Sequence, residues 1–302
     1  LRGIHRINQY NFAQLLNKIS YVGVIVVLLL ESKLSVTTAL LATIFALAVS
    51  VVYIFGCITR ISGLALGISC RLARESFRFG LKEHIGNVAQ NLNLRLDWVI
   101  LAAFATPAAV GIYSIAVLIA EFIWYIPDSI GVVLFPAIAS SERPTEKLTA
   151  KINRIVIFLT LCASLLLILL GRTIISVLYG PAFSPAFPAL MVLLPGIIGL
   201  TAAKIISKYT SGIGRPLYNS KGSILALAVN VPLLWYLVPK LGIIGAALAS
   251  SVAYSVYGFY MIQVFRMRSG LKITSIVLIS RRDIIELTNN LRGIFHGRTK
   301  ME

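Results

Sequence analysis

Charge is what this sequence has least of. Asp, Glu, Lys and Arg make up 13% of its 302 residues, where a soluble domain carries about a quarter. Acid is scarcer still, with 11 Asp and Glu against 28 Lys and Arg, for a formal charge of +17. Hydrophobic residues fill 58% of the chain and the mean hydropathy is +0.87. That balance excludes a secreted disulfide scaffold, an ordinary cytosolic enzyme and a disordered chain, and it points to a polytopic membrane protein. Other absences narrow the field further. The three cysteines, Cys57, Cys70 and Cys162, sit in or beside apolar runs without CxxC or Cys/His spacing, so neither a disulfide framework nor a metal site follows. The histidines are His5, His84 and His296 only, and no nucleophile–base constellation forms around them. No cofactor motif is present. GlyIleGlyArgPro at 212–216 lacks the lysine and the preceding strand of a phosphate loop and reads as a turn. The sequence opens at Leu1 with no Met and no leader pattern, which reads as a cut start.

What the sequence does have is apolar runs. A bilayer core of about 30 Å needs roughly 20 mostly apolar helical residues. Eight runs qualify: Phe12 to Leu30, Leu34 to Ile58, Ile85 to Ala105, Val110 to Ala139, Ile155 to Tyr179, Phe187 to Ile206, Ser223 to Val238 and Gly242 to Phe265. The basic residues divide between the connections unevenly. Alternate loops and both ends hold 22 of the 28, the other loops hold only Lys33, Arg172 and Lys240, and Lys18, Arg95 and Lys204 fall within spans. Positive residues are retained on the cytoplasmic side. The ends therefore face the cytoplasm, and the excess of base serves topology and not nucleic acid. The tail from Arg266 mixes basic and apolar residues, including SerIleValLeuIle at 275–279. It reads as a solvated cytoplasmic end with one short interfacial helix, against the alternative of a lipid-reading segment.

An internal repeat links the two ends of the apolar region. Tyr10-Asn11 opens the first hairpin and Tyr218-Asn219 the last. KLSVTTALLATIFALAVSVVYIF from Lys33 aligns without gaps with KLGIIGAALASSVAYSVYGFYMI from Lys240, with eight of 23 positions identical. Parallel repeats of this kind build two-lobed transporters. The expected architecture is all-α: a polytopic membrane helix bundle made of a second six-helix lobe plus the last hairpin of the first lobe of a two-lobed transporter. The first lobe would then lack four helices. The expected divisions are 1–59 for that hairpin, 60–84 for a cytoplasmic linker, 85–265 for the six-helix lobe and 266–302 for a basic tail.

Particular residues carry a resemblance to a known family. ArgLeuAspTrpValIleLeu at 95–101, GlyIleTyrSer at 111–114, AlaGlu at 120–121, IleProAspSerIle at 126–130 and LeuPheProAlaIleAla at 134–139 follow one another in order. LeuTyrGlyProAlaPhe at 178–183, LeuLeuProGly at 193–196, SerGlyIleGlyArgPro at 211–216, Asn230 and LeuGlyIleIleGlyAlaAlaLeuAla at 241–249 continue the series. The series resembles the second-lobe opening and remainder of polysaccharide transporters, in the multidrug, oligosaccharidyl-lipid and polysaccharide exporter superfamily. The resemblance implies a flippase of the plasma membrane that moves a polyprenyl-pyrophosphate-linked oligosaccharide by alternating access, for cell-surface polysaccharide biosynthesis. It implies that lipid-linked oligosaccharide, membrane lipids and polysaccharide assembly enzymes are partners, that nucleic acid is not, and that neither cofactor nor metal is needed. The alternatives are a cation-coupled drug antiporter or a lipid II flippase of the same superfamily, or a non-catalytic membrane subunit. An integral-membrane glycosyltransferase or polymerase fits poorly, because no outer loop exceeds about ten residues and those enzymes carry large extracytoplasmic or soluble parts.

Polar groups inside spans are costly and mark candidate sites. On the third span His84, Asn87, Asn91 and Arg95 share a stripe, flanked by Gln90 and Asp97, while Ile85, Ala89, Leu92 and Leu96 lie opposite. Arg95 has the geometry to hold a pyrophosphate, with Asn87 and Asn91 for sugar hydroxyls. Asp97 either joins them or makes a structural ion pair. On the fourth span Ser114, Glu121, Tyr125 and Asp128 fall on one face, and Pro127 and Pro136 should bend it. Glu121 and Asp128 are the ion-coupling candidates, although Asp128 also suits a cap. Lys204 and Lys18 either add positive potential to a cavity or snorkel to the interface. The tryptophans and tyrosines read as interfacial belt and packing.

Overall fold

The computed structural model describes residues 7–62, 69–142 and 144–286. Arg2, His5, Arg6, Arg143 and the basic residues after Glu286, with His296, lie outside the described residues, as do the side chains of Cys70, Arg78 and Lys82. Every regular element among the described residues is helical. They are α1 (Ile7–Leu30), α2 (Val36–Ser62), α3 (Cys70–Phe104), α4 (Pro107–Phe122), α5 (Tyr125–Ala139), α6 (Glu146–Tyr179), α7 (Ala186–Gly212), α8 (Leu217–Ser269) and α9 (Ile273–Val277), with a single 3₁₀ turn at Pro181–Phe183. The chain divides into two units, Leu1–Arg74 and Glu75–Glu302.

In the first unit α1 and α2 form a hairpin. The reversal is short: Ser32 takes a positive φ of 55°, and the Lys33 N–H bonds back to the Leu28 carbonyl. Ser35 and Thr38 then start α2 reciprocally, the Thr38 N–H donating to Ser35 Oγ and the Ser35 N–H to Thr38 Oγ1. Ala13, Ala42, Ala46 and Ser50 are the buried residues of the hairpin among those described, and small side chains are what lets membrane helices approach. The rings of Phe12 and Tyr53 meet at 5.1 Å.

The second unit is organised around α7. Two-thirds of its apolar window is buried, and it packs against α4, α5, α6 and α8. Leu190, Leu193, Ile197, Leu200, Ile205 and Ile206 form its core side. Glycine makes the contact with α8 possible. A Cβ on Gly258 would stand 2.3 Å from the Gly199 carbonyl oxygen, so the two backbones touch with no side chain between them.

Among the described residues five helices, α1, α2, α6, α7 and α8, are long and apolar enough to cross a membrane, and the bent pair α4/α5 makes a sixth. Eight spans are expected from the sequence, and the difference has two causes. The first is α8, whose 53 residues would reach roughly 80 Å if straight. It doubles back instead at Gly242, where φ 55° and ψ −128° break the helix. Gly245 then lies against the Leu237 backbone, and Gly222 against Tyr257 and Tyr260, so the two limbs run antiparallel and supply both the seventh and eighth runs. The second cause is α3, which is too polar to pass. It also begins at Cys70, well before Ile85, where the third run starts.

The fourth run is broken beside Pro127, whereas Pro136 lies inside α5. α4 ends at Phe122, α5 starts at Tyr125, and their axes differ by 43°. Pro127 has no N–H to continue the ladder across the joint, and the Trp124 and Ile126 N–H groups bond three residues back, to Glu121 and Ile123.

The segment after α8 is packed as far as Glu286, with the short helix α9 overlapping SerIleValLeuIle; the rest of the expected solvated end lies outside the described residues. Residues 270–286 form a strap on the first turns of α6. Ile276 is fully buried, and the Asn153 amide donates to its carbonyl at 2.9 Å. Arg154 grips Asp283 with two bonds, Nε to Oδ2 at 2.9 Å and Nη2 to Oδ1 at 3.0 Å, and also donates to the Ser275 carbonyl. Lys151 pairs with Glu286 at 2.6 Å.

Candidate functional site

The third run places its polar residues on two different faces of α3. Asn87, Asn91 and Arg95 are on the exposed side, at successive turns, with His84 preceding them. Asp97 points inward and is only 1% exposed. Its Oδ2 accepts from Tyr113 Oη at 2.6 Å and from Ser250 Oγ at 3.2 Å, and its Oδ1 from the Trp98 N–H at 2.9 Å. A buried carboxylate supplied with three donors is paid for locally, and this one ties α3 to α4 and α8. Asp97 is thereby turned away from the stripe of Asn87, Asn91 and Arg95. A second buried polar contact, absent from the sequence-level expectations, lies one turn earlier: the Asn93 amide donates to the Ser223 carbonyl at 3.2 Å, and the Asn230 amide to Asn93 Oδ1 at 3.0 Å. Their partners are 130 and 137 residues away, a distance no local pattern reveals.

The remaining charged candidates meet in two cation–carboxylate pairs, one on each side of the α4/α5 joint. Arg95 Nη1 is 3.2 Å from Glu121 Oε1, one turn before the joint. Lys204 Nζ is 2.7 Å from Asp128 Oδ2, in the first turn of α5. Each cation also lies over a tryptophan ring: the Arg95 guanidinium at 5.0 Å from Trp98, the Lys204 ammonium at 4.8 Å from Trp124. Trp124 is buried and meets Tyr254 edge-on at 6.1 Å. Tyr254 stands in the field of Asp97, Glu121 and Arg95, and Lys204 in that of Asp128, Lys208 and Glu121. So Arg95, Asp97, Glu121, Asp128 and Lys204, expected separately from four stretches of sequence, occupy one neighbourhood. Asn87 and Asn91 extend it along α3. Lys18 lies in the other unit and is exposed.

Neither pair is closed. Arg95 is 53% exposed, Asp128 54%. The Glu121 Oε1 contact with Arg95 is an ion pair without a well-directed hydrogen bond, and the indole nitrogens of Trp98 and Trp124 are enclosed without an acceptor. Trp98 had one sequence signal: it follows Arg95 by three residues, the spacing that stacks neighbours on a helix. Trp124 had none, because Lys204 reaches it from α7. No group of three His, Cys, Asp or Glu residues able to hold a metal occurs among the described residues. The arrangement suits an exposed, exchangeable charge site: cations held in place by aromatic faces, and carboxylates from which an anion could take them.

The family described as polysaccharide biosynthesis protein matches residues 6–188. Among curated relatives, an uncharacterized membrane protein of Methanocaldococcus jannaschii is 29% identical over 66% of this chain and 39% of its own length. A probable flippase of Haloferax volcanii is 30% identical over 51% of this chain and 34% of its own length. A capsular polysaccharide biosynthesis protein of Staphylococcus aureus is 23% identical over 62% and 50%. The chain thus spans between about a third and a half of the length of these relatives. Among solved structures, a MATE protein in its bent conformation superposes with a TM-score of 0.74 at 17% identity, covering 89% of this chain and 63% of that one. A Vibrio cholerae MATE transporter gives 0.73 at 15% identity, with 90% and 65% covered. These likenesses establish the MATE-like helical fold.

Proposed function

This chain belongs to the polysaccharide biosynthesis protein family, and from that premise we propose that it acts in a flippase for an oligosaccharide linked to a polyprenyl diphosphate. Residues 85–265 are read as one six-helix lobe, 1–59 as the closing hairpin of the other, 60–84 as the link between them and 266–302 as the tail. Both ends are read as cytoplasmic, because basic residues gather there, and the membrane as the plasma membrane. Polysaccharide assembly enzymes would supply and consume the cargo.

The observation that carries this reading is the pair of half-open ion pairs, Arg95–Glu121 and Lys204–Asp128. Two cations face two carboxylates there, so a diphosphate drawn between the cations would displace both carboxylates and leave them beside it. The displaced Glu121 and Asp128 then need another partner, a coupling cation or water. Cargo binding and ion uptake are thereby coupled by electrostatics alone, which is what an exchange cycle between two access states requires. Arg95 offers two parallel donors to a diphosphate, and Asn87 and Asn91 offer amides to sugar hydroxyls one and two turns away. An antiporter of cationic drugs would use the same carboxylates as its ligands and would leave Arg95 without a role.

The test is flipping of a fluorescent prenyl-diphosphate-linked sugar in proteoliposomes. Arg95→Ala is expected to slow flipping by at least roughly tenfold, the loss of about one charge-assisted contact, while Trp235→Phe leaves it unchanged. Equal rates for wild type and Arg95→Ala would overturn the assignment. Uptake of a cationic drug that survives Arg95→Ala but not Glu121→Gln would replace it with the antiporter.

A further inference from the structure

The strap lies at a defined level. α6 has 34 residues, but its apolar run starts only at Ile155, and the strap grips it at Asn153 and Arg154, the two residues immediately before that run. Its other end continues directly from Ser269, where α8 stops. Both attachments are places where a membrane-crossing helix leaves the hydrocarbon, so residues 271–286 run along the membrane boundary.

The two sides of the strap differ in kind. Ile276 and the carboxylate of Asp283 face α6 and are buried. Leu278 and Ile285 are 62% and 60% exposed, and Lys272, Arg281 and Arg282 are exposed beside them. The strap's own carboxylates cancel none of this positive charge. Asp283 is held by Arg154 and Glu286 by Lys151, both on α6, while no ion pair of Lys272, Arg281 or Arg282 occurs among the described residues. The docking contacts therefore draw acid inward and leave base and apolar side chains outward, the combination that interfacial segments present to acidic lipid headgroups.

We infer that residues 272–286 rest on an anionic lipid surface, with Leu278 and Ile285 entering the headgroup region and Lys272, Arg281 and Arg282 meeting lipid phosphates. This is independent of what the transport site carries. To test it, the native cysteines are replaced by serine, Leu278→Cys is labelled with an environment-sensitive fluorophore, and the whole chain is placed in nanodiscs. Emission is compared in phosphatidylcholine alone and in phosphatidylcholine mixed with phosphatidylglycerol. The expected result is a blue shift in the mixed discs only, abolished by combining Arg281→Gln with Arg282→Gln and weakened by high salt. Identical emission in the two lipids, buried or wet, overturns the inference. So does efficient disulfide formation between unlabelled Leu278→Cys copies, which would make a second chain the occupant.

Discussion

The charge site on α3, α4, α5 and α7 and the strap on α6 are built from the same materials: cations of one element facing carboxylates of another. They differ in closure. Arg154 meets Asp283 with two hydrogen bonds, and the side chains are 15% and 6% exposed. Ser280 supplies Asp283 Oδ2 with a further hydroxyl and a backbone N–H. Arg95 meets Glu121 at one looser contact while more than half exposed. A closed pair with both carboxylate oxygens bonded holds structure, because breaking it strands a buried charge. An open pair holds little and can be traded for a ligand.

That contrast can be attacked at three strengths. Arg154→Ala should cost about 3–5 kcal/mol of strap docking, the usual penalty for stranding one partner of a buried pair. A nitroxide at Leu278→Cys would then pass from an ordered to a mobile spectrum in detergent. Arg95→Ala should change thermal stability by less than about 1 kcal/mol, as expected of an exposed pair, whatever it does to flipping. A melting temperature lowered as much as by Arg154→Ala would erase the distinction. The mildest probe is acid. Arg154 holds the Asp283 carboxyl well below the usual carboxylate range, aided by Ser280. Its stabilisation is therefore complete above the unfolded value of about 3.9 and is lost as pH falls through the lower folded one. The spin label should accordingly stay ordered from pH 7 to pH 5 and loosen only below about 4. Release near pH 6 would show that another group holds the strap.

Much of this fold is written locally. The hydropathic runs mark the membrane helices, Pro127 marks the joint between α4 and α5, and the Gly242 run opens where α8 reverses. The charge site is legible in part for the same reason: Arg95, Glu121, Asp128 and Lys204 each stand out as polar groups where hydrocarbon is expected. What the sequence conceals is pairing across distance. The hydrogen bonds of Asp97 to Tyr113 and Ser250 join three helices and leave no local mark. Asn93 looks like one more polar residue off the stripe, and Arg154 and Asp283 are 129 residues apart. α3 is legible only in its second half: Ile85 to Ala105 reads as a run, while the polar turns from Cys70 onward leave the helix as a whole with little apolar average.

The reversal at Gly242 leaves the hairpin of α8 with no spare length. A surface loop absorbs an inserted residue at small entropic cost, whereas here one glycine, in a φ/ψ combination that other residues resist, is the whole connection. An extra residue beside it would rotate the following limb by about 100° and swing Ala246, Ala249 and Ala253, now buried, off their packing face. Epitope tags and reporter insertions that other connections would accept are excluded from this corner.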